Sequence, residues 1–139
     1  DDYNINAAVT DFDGETFYYE NGEINQQNSL TEDTDKKKIK IEAYKLKTLL
    51  NNLSISSIDY LNIDVEGSDF KVLSGFDFSQ YRPKLISIEQ NIYNSEKILK
   101  DECHQLLTEK KYFLASKIGV TCIYIDNKFE NNIEEIMSI

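Results

Sequence analysis

The stretch Ile58-Asp59-Tyr60-Leu61-Asn62-Ile63-Asp64-Val65-Glu66-Gly67 is an apolar, β-rich run that breaks off in two carboxylates and a glycine. Side chains alternate across a strand, so Leu61, Ile63 and Val65 share one face, and Asn62, Asp64 and Glu66 share the other. Two acids then project together near the C-terminal edge. Ser68-Asp69 can cap a short helix whose apolar positions are Phe70, Val72 and Leu73, and Gly75 stands where a helix commonly stops. A strand, a tight glycine turn and a helix form half of a βαβ unit. In open α/β sheets, ligands bind beyond the carboxyl ends of the strands, which is where Asp64 and Glu66 fall. Acidic residues also suit a helix start on dipole grounds alone, so the pair has a structural reading beside the functional one.

Upstream of this centre, Leu46, Leu49, Leu50 and Leu53 fall at helical spacing and predict an amphipathic helix. Before it, Lys36-Lys37-Lys38, Lys40, Lys45 and Lys47 alternate with Ile39, Ile41 and Leu46, which reads as a strand with a solvated lysine face. Ile5 to Thr10 is a short apolar run, and Asp11-Phe12-Asp13-Gly14 has turn composition, so Thr16-Phe17-Tyr18-Tyr19 is expected to pair back as a hairpin. Glu20 to Asp35, with Asn21-Gly22 as a further turn signal, reads as a polar surface loop.

Downstream, Pro83 closes an aromatic connection from Phe76 to Arg82, and Lys84-Leu85-Ile86-Ser87-Ile88-Glu89 follows as a second acid-ended strand. A helix capped by Asn94 or Ser95 is expected to run to about Lys110, burying Ile98, Leu99, Cys103, Leu106 and Leu107. His104 on that helix has polar neighbours and reads as a surface residue, and no second histidine exists to build a metal site with it. Tyr112 to Ser116 and Val120 to Ile125, joined through Gly119, predict an antiparallel pair. The tail from Phe129 to Ile139 is expected to add a helical turn or fray.

The 139 residues have the length of one domain, 1–139, and a globular composition. The formal net charge is -10 and Arg82 is the only arginine, so no basic surface is available to neutralise phosphates. Nucleic acid and anionic membranes are thereby poor partners. Cys103 and Cys122 lack both metal-knuckle spacing and disulfide-scaffold density, and read most simply as free thiols in a reducing, cytoplasmic compartment. No run approaches a membrane span, and Asp1-Asp2-Tyr3 opens no signal peptide and lacks a methionine, which reads as a processed, trimmed or partial chain.

The element order and the central stretch together resemble the FkbM family of S-adenosylmethionine-dependent methyltransferases. Ile58 to Gly67 is close to that family's I-D-x-L-K-I-D-V-E-G signature, Val72-Leu73-Ser74-Gly75-Phe76 is similar to its v-L-x-G-f, and Arg82 to Glu89 is similar to its r-P-k-l-i-x-x-E strand. Ala7-Ala8-Val9-Thr10-Asp11, with Gly14 and Phe17-Tyr18, resembles the family's A-V-s-D-x-x-G-x-x-x-f, and Asn28-Ser29-Leu30 and Thr48-Leu49 fit more loosely. The resemblance implies an α/β fold of Rossmann-like, class I methyltransferase type, mostly parallel with an antiparallel C-terminal strand pair. Two departures stand out. Phe70 occupies a position usually acidic or different in the family, with Asp69 beside it. The family's glycine-rich D-x-G-A-n-x-G loop and the acid-ended second strand are absent, and the five glycines include no G-x-G. Both elements would precede Asp1, so the chain reads as the C-terminal part of a methyltransferase, its N-terminal strands missing, and is expected to bind the cofactor weakly or not at all alone.

The activity implied is O-methylation of a sugar or secondary-metabolite hydroxyl, with a small-molecule or glycan acceptor as partner. Such a transfer needs alignment of the two reactants and a base for the hydroxyl proton. Asp64 is the first candidate for that role, followed by Glu66 and Glu89. Asn6 and Ala7, at the end of the first strand, are the candidate cofactor contacts. A divalent cation holds the acceptor oxygen in some O-methyltransferases, and an Asp/Glu cluster suits a hard cation, so metal use is an open option that no residue demands. Two rival readings remain. Asp64-Val65-Glu66 is also the D-x-E of two-metal exonucleases, against which stand the acidic composition and the sole arginine. A non-catalytic interaction module, with an exposed sheet edge favouring a homo-oligomer, is the other.

Overall fold

The structure, a computed structural model, describes residues 3–20, 37–92 and 94–130. The expected loop from Glu20 to Asp35 and the tail beyond Glu130 lie outside those residues, save Glu20 itself, which ends a strand. Strands β1 (Ala8–Thr10), β2 (Gly14–Glu20) and β3 (Lys37–Lys45) form a sheet in the order β1-β3-β2. The predicted hairpin is therefore wrong. The chain does turn at Asp11 to Asp13, but β3 lies between the two arms, parallel to β1 and antiparallel to β2. The turn's own acid explains why. Asp13 Oδ1 accepts from the Lys45 backbone N–H at 3.0 Å and its Oδ2 from Thr48 Oγ1 at 3.0 Å, which holds the end of β3 against the turn. Alternation along β3 is as expected, with Lys38, Lys40 and Glu42 exposed, Ile39 and Ile41 half-buried and Ala43 buried.

Helix α1 (Leu46–Asn52) follows at once, burying Leu49 and laying Leu46 and Leu50 against the core. Strand β4 (Tyr60–Ile63), helix α2 (Asp69–Ser74) and strand β5 (Leu85–Glu89) come next. The single long helix expected after them is two. Helix α3 (Ser95–Ile98) stops, and α4 (Glu102–Glu109) starts afresh, because Asp101 Oδ1 accepts from the Cys103 and His104 N–H groups as an N-cap. Strands β6 (Tyr112–Ile118) and β7 (Thr121–Asp126) form the predicted antiparallel pair, with an irregularity between Leu114 and Ser116, and turn at Gly119 with φ +60°.

The second sheet has the order β4-β5-β7-β6. Only β1–β3 and β4–β5 pair in parallel, while β2–β3, β5–β7 and β6–β7 are antiparallel, so the mostly parallel sheet implied by the resemblance is not what the described residues form. The cause is local. β3 returns beside β2 instead of crossing over, and β7 inserts between β5 and β6. The fold is α/β with mixed sheets.

One apolar core, including Ile63, Leu73, Ile86, Ile88, Leu107 and Tyr124, fills the space between the second sheet and its helices. Gly75 ends α2 as expected, but for a different reason. Its φ of -84° is open to any residue; a Cβ there would sit 2.6 Å from the Thr10 carbonyl oxygen, so the glycine permits α2 to touch β1. That contact, with the Lys47 N–H donating to Gly75 O at 3.2 Å, joins the smaller sheet to the core.

Candidate active site

Strands β4 and β5 run parallel with Ile63 opposite Ile88, so Asp64, just past the end of β4, comes beside Glu89, the last residue of β5, which is still paired with Thr121 of β7. On the strands themselves, Tyr60 Oη lies 2.6 Å from Ser87 Oγ, which in turn donates to Asn62 Oδ1, tying the two edges together. Glu66 arrives by another route than the alternation predicts. The strand ends at Ile63, and Glu66 and Gly67 turn the chain with φ of +49° and +89°. Positive φ is natural for glycine and uncommon for glutamate. The turn places one carboxylate oxygen each from Asp64, Glu66 and Glu89 within 4.8 Å of one another. Asp64 and Glu66 are exposed and Glu89 is half-buried.

Among the described residues, none of these three acids is ion-paired with a lysine or arginine. Burial raises the Glu89 pKa, and the neighbouring carboxylates of Asp64 and Glu66 raise it further. Asn91 Nδ2, 3.3 Å from Glu89 Oε1, opposes that rise. Close like charges disfavour full ionisation, and a carboxyl that gains protons readily is the consequence.

Glu89 also lines a cavity of about 270 Å³ whose wall includes Gly67, Asp69, Gln90, Asp101 and Cys103. Asp69 is only 6 % exposed; its Oδ2 accepts from the Gly67 N–H at 3.1 Å, while Oδ1 is buried without a hydrogen-bond partner. Burial pushes its carboxyl above the usual range against the pull of nearby backbone N–H groups. Gln90 is fixed on three sides: its Nε2 donates to Asp101 Oδ1, its Oε1 accepts from Tyr124 Oη at 3.1 Å, and its carbonyl accepts from Lys117 Nζ at 3.1 Å. Burial first, and Asp101 next, push the Cys103 thiol up to about 12, so it is no nucleophile at neutral pH.

Asp64, Glu66 and Glu89 thus come together, Glu66 through the turn and Glu89 through the β4–β5 register. Asn6 and Ala7 do not join them. They lie ahead of β1 instead of at its end, and neither lines the cavity. His104 is half-buried, with Nδ1 3.1 Å from Tyr124 Oη, and supports that tyrosine. Sequence reasoning treats Asp69 as a helix cap alone and passes over Gln90 and Asp101. The one available signal was adjacency, since Gln90 directly follows the acid that ends β5.

No curated protein and no solved structure matches the chain significantly. The profile of the methyltransferase FkbM domain matches residues 2–114, which include both acid-ended strands, the turn between Asp64 and Asp69 and the cavity wall to Cys103. With four-fifths of its length under that match, the chain belongs to the FkbM methyltransferase family.

Proposed function

We propose that the protein methylates a hydroxyl oxygen of a sugar or secondary metabolite, using S-adenosylmethionine, with Asp64 accepting the hydroxyl proton. The observation that carries this reading is the convergence of Asp64, Glu66 and Glu89 beside a polar cavity at the ends of β4 and β5. The cofactor, when bound, supplies an electrophilic methyl group on a sulfonium cation. The cavity, at about 270 Å³, falls below the roughly 300 Å³ at which drug-sized pockets begin, which favours the smaller acceptor over the cofactor as its occupant. The cavity suits the acceptor. Gln90, locked in place, gives it a rigid wall, and Asn91 lies beside Glu89 with an amide able to meet a second hydroxyl. Glu89, its pKa raised, suits holding the proton once it has left the acceptor.

The nuclease reading fits less well. Arg82, the sole arginine, is committed to Asp126 at 2.7 Å and to the Lys110 carbonyl at 2.7 Å, so it is not free to meet a phosphate. The reading is tested by incubating a longer chain, extended upstream of Asp1, with methyl-labelled S-adenosylmethionine and a panel of sugars, phenols and aliphatic alcohols. Label recovered in a base-stable ether is the expected result. Label in a base-labile ester or an amine contradicts O-methylation, and no transfer together with no binding of S-adenosylhomocysteine returns the chain to the interaction-module reading.

A further inference from the structure

We propose that Phe70 selects the occupant of the cavity, as a platform on which one face of a pyranose ring without phosphate or carboxylate stacks while the ring's hydroxyl edge meets Glu89 and Asn91. Of the large apolar side chains that are exposed among the described residues, Phe70, 37 % exposed, is the one that lines the cavity. Helix α2 sends its other apolar side chains, Val72 and Leu73, into the core, which leaves the Phe70 ring outside it on a packed element. Ile92 adds a second apolar side chain to the lining. The chain at the end of β5 contributes the polar part, the Glu89 carboxylate and the Asn91 amide.

A pyranose has the same division. Its ring C–H groups make apolar faces, and its hydroxyls project around the edge. An aromatic face covers the first, while a carboxylate accepts from the second and an amide both donates and accepts. The Asn91 amide has two donors, and its bond to Glu89 uses one of them. A simple alcohol on a hydrocarbon ring matches Phe70 alone, and an acyclic polyol matches the polar groups alone. Charge narrows the class further. The described lining includes Asp69, Glu89, Asp101 and Glu102 and no lysine or arginine, so a uronic acid, a sugar phosphate or a nucleotide-linked sugar meets like charge. Glu89 belongs both to the lining and to the cluster with Asp64, so a hydroxyl held at Glu89 is the one brought towards the proposed base. That the bound sugar is the methyl acceptor rests on the methyl-transfer reading, whereas its binding does not.

The test is ligand-observed saturation-transfer NMR, with titration, on the chain extended upstream of Asp1. The probes are methyl glycosides of glucose, galactose and rhamnose, with sorbitol, cyclohexanol and glucose 6-phosphate for comparison. At least one glycoside should bind more tightly than all three comparison compounds, with saturation strongest at its ring C–H groups. Phe70→Ala should weaken that glycoside about threefold to tenfold, the range of an aromatic stacking contact. Phe70→Tyr, which keeps the ring, should retain it, and Leu99→Ala, an exposed apolar side chain away from the cavity, should leave it unchanged. Equal affinity in Phe70→Ala, sorbitol or glucose 6-phosphate binding as tightly as the glycosides, or no glycoside binding overturns the proposal. Failure of the two readings is separable. Phe70-dependent glycoside binding without methyl transfer keeps the sugar site and removes the methyl-transfer reading, and transfer to a non-sugar alcohol without glycoside binding does the reverse.

Discussion

The two sheets of this protein are built on opposite plans. Strand β5 is buried along its middle three residues, flanked on both sides by β4 and β7, and ends in an acid at the site. Strand β3, also central in its sheet, alternates exposed lysines with half-buried isoleucines, pairs Lys40 with Glu15 at 2.7 Å and stacks Lys38 over Phe17 at 3.9 Å. Exposed ion pairs and cation–π contacts of this kind contribute little, about 0–1 kcal/mol each, whereas one buried aliphatic side chain contributes roughly 1.5–3 kcal/mol. The four-stranded sheet therefore carries most of the buried core and the acidic cluster, while the three-stranded one is a more polar flank joined to it at Gly75.

The largest effect expected from this contrast is on the core. Leu107→Ala removes a side chain that is 0 % exposed from beneath the four-stranded sheet, and should lower unfolding free energy by about 2–5 kcal/mol in urea titration. A loss under about 1 kcal/mol would place the stabilising core elsewhere. Gly75→Ala is intermediate, since its Cβ cannot lie 2.6 Å from the Thr10 carbonyl without displacing backbone; overpacking of this sort costs about 1–3 kcal/mol. Its signature is regional: amide protection should fall in β1 and β3 and persist in β5 and β7. Equal loss in both sheets would mean that they are not joined there. The smallest effect belongs to Phe17→Ala in β2, 40 % exposed, where a change within about 1 kcal/mol is expected by the same titration.

The same contrast explains what could be read without coordinates. The β4 stretch was legible because apolar residues, two acids and a glycine in one short span have few alternative readings, and Asp64 and Glu66 do sit at that strand's end. The partnership with Glu89 depends on register, Ile63 against Ile88, which no local pattern encodes. Strand order fails for a similar reason. Asp11-Phe12-Asp13-Gly14 has the composition of a hairpin turn, yet Asp13 bonds Lys45 and Thr48, more than thirty residues away, and draws β3 between the arms. The break between α3 and α4 was visible as Asp101 ahead of Cys103 and His104, but apolar periodicity ran across it and hid the cap. Asp69 and Gln90 gain their roles from burial and from partners across the fold, which residue type alone does not reveal.

The claim that the working site lies at the acidic edge of the four-stranded sheet is tested most directly by removing one carboxylate from each sheet and measuring methyl transfer by a chain extended upstream of Asp1. Asp64→Asn should lower kcat/KM by about 10²–10⁴-fold, the usual contribution of a general base, with the fold intact by circular dichroism. Glu42→Gln, on exposed β3, should leave it unchanged. Equal losses in the two variants, or an undiminished rate in Asp64→Asn, would contradict the account.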